Sequence, residues 1–268
     1  LSVGRGDLPP EWGVAYGIRQ ADGFRESVLP WYKEYFYKAF GKPSQDLAFD
    51  VGEELSLQLP LANYLGVKHF IVNAGAVRSL ALMQSLSFPV IYEDARVKVF
   101  ENSSAQPRAR LLFEMQEGTV PTEAQNGSLL NSLYSNDASF LNAAKILFSV
   151  QAPGEKSGQA TILEESNMRV LVKTRSNSAS ILSLADAWHP NWEVRVDGEK
   201  TNIGLINDAF RGVALSAGEH IVDFNYRIPG ANFIQLFLVG GCALFVFISL
   251  LLWNTNRKRL GEISNDQK

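Results

Sequence analysis

The sequence predicts an α+β protein: a small mixed α/β region, then an antiparallel β-sandwich, then one C-terminal transmembrane helix. Three observations carry that expectation. An aromatic run with helical spacing, bounded by Pro30 and Gly41, lies near the start. Between Ile181 and Ile228, short segments alternate apolar and polar residues and are separated by turn signals. From Phe233 to Trp253 no charged residue occurs, and at about 1.5 Å rise per residue that run reaches about 31 Å, enough to cross a hydrocarbon core. The expected divisions are 1–90 for the mixed region, 91–230 for the sandwich, 233–253 for the span and 254–268 for a basic tail.

Taken in order, LPWYKEYFYKAF (Leu29 to Phe40) reads as an amphipathic helix. Pro30 suits its first turn and Gly41 its stop. Trp31, Tyr35 and Ala39 share one stripe, expected to face a core. Glu53 to Leu65 reads as a second helix, and Val67 to Val72 as a short buried strand after Gly66. Val97 and Val99, then Ala109, Leu111 and Phe113, alternate as strands on either side of a loop from Asn102 to Pro107. A polar stretch from Thr119 to Gln159 encloses a helix expected over Asp137 to Phe148, and Ile162, Val170 and Val172 resume the strand pattern.

Trp192, Val194 and Val196 alternate with Glu193, Arg195 and Asp197. Asp197-Gly198 is a two-residue hairpin signal, because a type I′ turn needs residues that tolerate positive φ. A returning strand is expected to reach Ile206, another covers Phe210 to Leu215, and Ala217-Gly218 makes the next turn. Val222, Phe224, Tyr226 and Ile228 then line one face of the last strand, which Pro229-Gly230 ends.

Composition excludes several classes. Lys+Arg 25 against Asp+Glu 28 gives a net charge of -3, so nothing points to an electrostatic grip on nucleic acid. The single cysteine, Cys242, lies inside the apolar run, which rules out an intrachain disulfide and a cysteine-based zinc site. His69, His189 and His220 are too scattered for a metal site, and no cofactor motif occurs. Glu53-Glu54 and Glu164-Glu165 read as solvated surface charges. The Asn-x-Ser triplets at Asn102 and Asn126 carry little weight, since such triplets recur by chance.

Arg257, Lys258 and Arg259 follow the apolar run directly, and by the positive-inside rule they hold the tail in the cytoplasm. That orientation puts residues 1 to about 230 outside, anchored to a bacterial cell membrane by lipid contact. Export of an N-terminal part needs a signal peptide or earlier spans, and the opening LSVGRGDLPP has the features of neither. The chain is therefore expected to be a C-terminal or processed piece whose upstream part carries membrane-inserting sequence.

The most distinctive polar-aromatic cluster is Trp188, His189, Pro190, Asn191 and Trp192. On a loop at a sandwich edge, Trp188 and Trp192 would stack on a sugar ring while His189 and Asn191 supply hydrogen bonds. The structural alternative is a corner, with Trp192 as core anchor and Pro190 shaping the bend; the position of Trp192 on the apolar face of its strand favours it. No residue reads as catalytic.

The run LADAWHPNWEVRVDGEKTNIGLINDAFRGVALSAGEHIVDFNY resembles the end of YfhO-type bacterial membrane proteins. Their aromatic-Pro-x-Trp step, Val-Asp-Gly strand end, Phe-Arg-x-Val and Gly-Glu-His turn match Trp188 to Trp192, Val196 to Gly198, Phe210 to Val213 and Ala217 to His220. Val97 to Ala109, Ala62 to Val72 and Asp22 to Tyr32 resemble three further segments in the same order, with Phe24, Arg25, His69 and Phe100 departing from the family's pattern. The resemblance implies a polytopic, glycosyltransferase-C-like protein that transfers sugar from a polyprenyl-phosphate carrier onto a cell-envelope glycopolymer. This chain would supply an extracytoplasmic part shaping the acceptor side, beside the upstream membrane domain. The family's catalytic acidic loops are not in this sequence, so it implies no catalytic residue here. A membrane-tethered carbohydrate-binding or purely structural sandwich is the alternative.

Overall fold

Proline has no N–H to donate and a fixed φ, which suits the first turn of a helix. Pro30 opens helix α1 (Pro30–Phe40), and Gly41, at φ 89°, ends it with its N–H donating to the Tyr37 carbonyl. The buried face is broader than the expected stripe: Tyr35, Phe36, Ala39 and Phe40 are all buried. The same rule corrects the second helix. Helix α2 (Leu59–Leu65) begins beside Pro60, six residues after the expected start, and Gly66 closes it in the left-handed region. Leu55–Gln58 is not helical, with the Ser56 and Gln58 N–H groups donating to the Phe40 and Ala39 carbonyls.

The structure is a computed structural model, and it describes residues 2–3, 21, 29–41, 55–118, 132–149, 154–228, 230, 241, 244–250 and 253. Residues Leu1–Asn225 form one unit and Tyr226–Lys268 a second.

In the first unit, a four-stranded sheet is ordered β1-β2-β4-β3, from β1 (Ser2–Val3), β2 (His69–Asn73), β3 (Val90–Glu93) and β4 (Val97–Glu101). β1 pairs parallel with β2, and the other neighbours run antiparallel. Helix α3 (Val77–Ser85), which the sequence pattern did not announce, follows β2. β6 (Glu114–Glu117) and β7 (Ser132–Ser135) form a separate parallel pair. Helix α4 (Ala138–Ser149) follows, its first turn capped by Asp137, whose Oδ1 accepts the Phe140 N–H at 3.1 Å.

The sandwich consists of two further sheets. One is ordered β13-β14-β10-β5, from β13 (Gly204–Ile206), β14 (Phe210–Leu215), β10 (Ser180–Ala187) and β5 (Ala109–Leu112). The other is ordered β12-β11-β15-β9-β8, from β12 (Glu199–Thr201), β11 (Trp192–Val196), β15 (Gly218–Tyr226), β9 (Arg169–Ser176) and β8 (Gly158–Ser166). Between them lies an apolar layer that includes Leu111, Leu182, Leu184, Val213, Val170, Val172, Val194, Val222 and Phe224.

The β13-β14-β10-β5 sheet is buried on its other face too. Leu112, Ile181, Ile206 and Phe210 belong to a second core with Tyr35, Phe36 and Phe40 of α1, Leu61 and Tyr64 of α2, Phe70, Phe100 and Phe140. Residues on either side of position 90 thus share one core. Two-sided burial shows along β10, where six successive residues from Ser180 to Ala185 are all buried.

Asp197 and Gly198, at φ 52° and 88°, make the expected two-residue turn between β11 and β12, with Val196 opposite Glu199. The expected single return strand to Ile206 is instead two. β12 stays in the five-stranded sheet and β13 crosses to the four-stranded one, turning a sandwich corner at Asn202 and Ile203.

In the second unit, residues 241, 244–250 and 253 are helical and exposed. The rest of the expected Phe233–Trp253 span, and Arg257 to Arg259, lie outside the described residues. Among the described residues, no helix is long and apolar enough to cross a membrane.

Candidate functional site

The four residues expected to meet a glycan occupy one short turn but face different neighbours. Trp188 is held on the helical side: its N–H donates to the Ala209 carbonyl, its carbonyl accepts the Trp31 indole N–H at 2.8 Å, and the two rings meet edge to face at 5.7 Å. His189 shapes the turn, its Nδ1 accepting the Asn191 N–H at 3.1 Å and its carbonyl accepting that of Trp192. Trp192 opens β11, half-buried against the sandwich core, with the Arg211 guanidinium 3.9 Å from its ring centre. The turn therefore separates the two indoles.

Around Trp192 the fold assembles residues distant in sequence. A cavity of about 430 Å³ is bounded by Arg108, Glu165, Asn167, Asp186, Trp192 and Arg211. Arg108 comes from the segment entering β5, Glu165 and Asn167 from the β8–β9 hairpin, and Arg211 from the sandwich-facing row of β14. Asp186 sits in the register shift of β10 between Leu184 and Ala187, and such a bulge re-aims the side chains it carries.

Asp186 organises the charges. Arg108 donates to both its oxygens, from Nε and Nη2, at 2.6 Å each, and Arg211 Nη2 donates to Oδ2 at 2.6 Å. Arg108 Nη1 also donates to Glu165 at 2.5 Å. These paired, charge-assisted bonds fix both guanidinium planes. Burial lowers the Arg211 pKa to about 10, against the attraction of Asp186, so Arg211 is still a cation at neutrality. For Arg108, burial acts to lower the pKa, but bonding and charge from Asp186, then Glu165, outweigh it and raise the value.

Arg211 itself is almost fully buried, and its Nε and Nη1 find no hydrogen-bond partner among the described residues. The Trp192 ring, and Phe224 at 5.4 Å, supply part of the missing stabilisation; cation–π contacts of this kind are worth about 0.5–2 kcal/mol. The indole thereby packs on a buried cation at the cavity wall.

Two other polar clusters serve the fold. In the helical core, the Tyr64 hydroxyl lies 2.7 Å from the Ser183 hydroxyl, Tyr35 donates to the Leu61 carbonyl, and Arg110 stacks 3.8 Å from the Tyr64 ring while donating to the Pro107 and Tyr64 carbonyls. Burial raises the pKa of both phenols, so they act there as neutral hydrogen-bonding groups. At the surface, Asp197 Oδ2 accepts from His220 Nδ1 at 2.7 Å, and His220 Nε2 lies 3.1 Å from the Ser216 hydroxyl. The order Asp-His-Ser matches a nucleophile relay, yet Asp197 and Ser216 are exposed turn residues. With Asp197 also accepting the Ile221 N–H, the three groups tie the β11–β12 turn to the crossover from β14 to β15.

Sequence reasoning named Trp192 and missed Arg108, Asp186 and Arg211. One signal was available: Arg211 shares the alternation of Val213 and Leu215, and an arginine in a core-facing row needs a buried partner. Nothing local identified Asp186 as that partner. Among the described residues, no group of three His, Cys, Asp or Glu is placed to hold a metal ion. Comparison with known proteins finds no matching family model, no matching curated protein and no matching solved structure.

Proposed function

We propose that this chain is the membrane-anchored, extracytoplasmic part of a bacterial envelope protein that glycosylates cell-envelope polymers from a polyprenyl-phosphate sugar donor. Its sandwich binds glycan on the acceptor side. The observation that carries the reading is the cavity at Trp192, where an indole borders a hydrogen-bonded set of arginines and carboxylates. One aromatic ring among oriented charged and amide groups suits a ligand rich in hydroxyls that also carries an apolar C–H face. The charge-free run from Phe233 to Trp253, followed by Arg257 to Arg259, supports the anchor and its orientation. The sequence resemblance supports the reaction class and assigns the chemistry to loops outside this chain.

The test is deletion of residues 90–230 from the intact protein in its host, with membrane insertion followed in parallel. Polymer glycosylation is expected to fall to background while the membrane part still inserts, and protease added outside intact cells should cleave the undeleted sandwich. Unchanged glycosylation, or a sandwich reached only after cell rupture, refutes the proposal.

A further inference from the structure

The cavity at Trp192 carries charges of both signs, and their balance bears on what it admits. Arg108 and Arg211 are matched by Glu165 and Asp186, all four at the cavity wall. The three Arg108 donors described above all go to carboxylates, and the Arg211 Nη2 donor goes to Asp186. A phosphate entering here would meet two carboxylates already bonded to the cations it needs, and like-charge juxtaposition is the usual means of rejecting a ligand.

An uncharged polyol meets no such opposition. A carboxylate oxygen accepts about two hydrogen bonds. Asp186 Oδ2 already takes one from each arginine, so Oδ1, which takes one from Arg108, is the atom that can accept a sugar hydroxyl without releasing either. Asn167, exposed at the β8–β9 turn, adds an amide that both donates and accepts. Trp192, half-buried at the cavity wall, offers apolar surface for the C–H face of a pyranose.

We infer that the cavity formed by Arg108, Glu165, Asn167, Asp186, Trp192 and Arg211 selects uncharged sugar rings and rejects phosphorylated ones. The inference rests on the glycan-binding reading above and narrows it. In the acceptor polymer, the bound unit is then a neutral sugar and not the phosphate linkage.

Saturation-transfer NMR tests this on the full chain in a sugar-free zwitterionic detergent. The probes are methyl glucoside, methyl galactoside and N-acetylglucosamine, each beside its 6-phosphate. The neutral sugar should bind at least roughly tenfold more tightly than its phosphate. Glu165→Gln, which removes one negative charge at a partly exposed position, should narrow or invert that preference, and Trp192→Phe should weaken binding of both forms. If the wild-type chain binds the phosphates as tightly as the neutral sugars, or if Glu165→Gln leaves the preference unmoved, the charge argument is overturned while the glycan site stands. If no probe binds, or Trp192→Phe changes nothing, the glycan reading falls with it.

Discussion

At the residue scale, the decisive group is Asp186. It neutralises Arg108 and Arg211 together, and its partner Arg211 is 3% exposed against 16% for Asp186 itself. Removing one partner of a buried pair leaves an uncompensated charge. Asp186→Asn should therefore destabilise the protein by about 3–5 kcal/mol, read as a lower urea midpoint. A loss as small as that of an exposed pair, about 0–1 kcal/mol, would show that solvent reaches Arg211. Asp197 supplies a pH-dependent contact at the surface. The Ile221 N–H, then His220, lowers its carboxyl pKa below the ordinary value. A lowered folded-state pKa gives stabilisation that is present above the unfolded value, about 3.9, and lost as pH falls through the folded one. Wild type and Asp197→Asn should differ in unfolding midpoint near neutrality and converge in acid; a gap constant down to low pH would refute this assignment.

At the element scale, a glycine pair seats α4 on the four-stranded sheet. Gly204 and Gly212 are cross-strand partners in β13 and β14, and both lie under the Phe140 ring. A Cβ on Gly204 would lie within 2.5 Å of three carbons of that ring, so close approach and not backbone conformation requires glycine there. Gly204→Ala should cost about 1–3 kcal/mol in thermal unfolding, as overpacking does. Combining it with Phe140→Leu should cost less than the sum of the two single changes, because the clash is shared. Strict additivity would mean that the ring does not press on β13. Helix α2 makes the complementary point about local signals: Pro60 sets where it begins, and the residues before it join α1 through backbone hydrogen bonds.

At the scale of the whole first unit, the β13-β14-β10-β5 sheet connects two cores. Its odd-numbered Ile181 and Ser183 meet the helices, and its even-numbered Leu182 and Leu184 meet the other sheet. Buried polar groups of this sheet find partners on both of its faces. Ser183 finds Tyr64 on the helical side, and Arg211 finds Asp186 at the open end of the sandwich. The candidate cavity lies at that end because the β8–β9 hairpin, the entry to β5 and the exit of β10 meet there.

The sequence by itself determined what short-range geometry controls. Pro30 and Gly41 bounded α1, Asp197-Gly198 made its turn at positive φ, and alternation located β9, β11 and β15. In each case the neighbouring residues suffice, since backbone sterics and side-chain period act over a few positions. Tertiary structure alone decided which sheet each strand joined, so that β12 and β13 parted where one strand was expected. It also decided the site. Arg108 and Asp186 stand 78 positions apart, and Arg211 a further 25 beyond Asp186. Their convergence depends on long-range strand pairing and on a bulge in β10, neither of which leaves a periodic trace in the chain. Sequence reading thus reached Trp192, and only the fold supplied the charges that surround it.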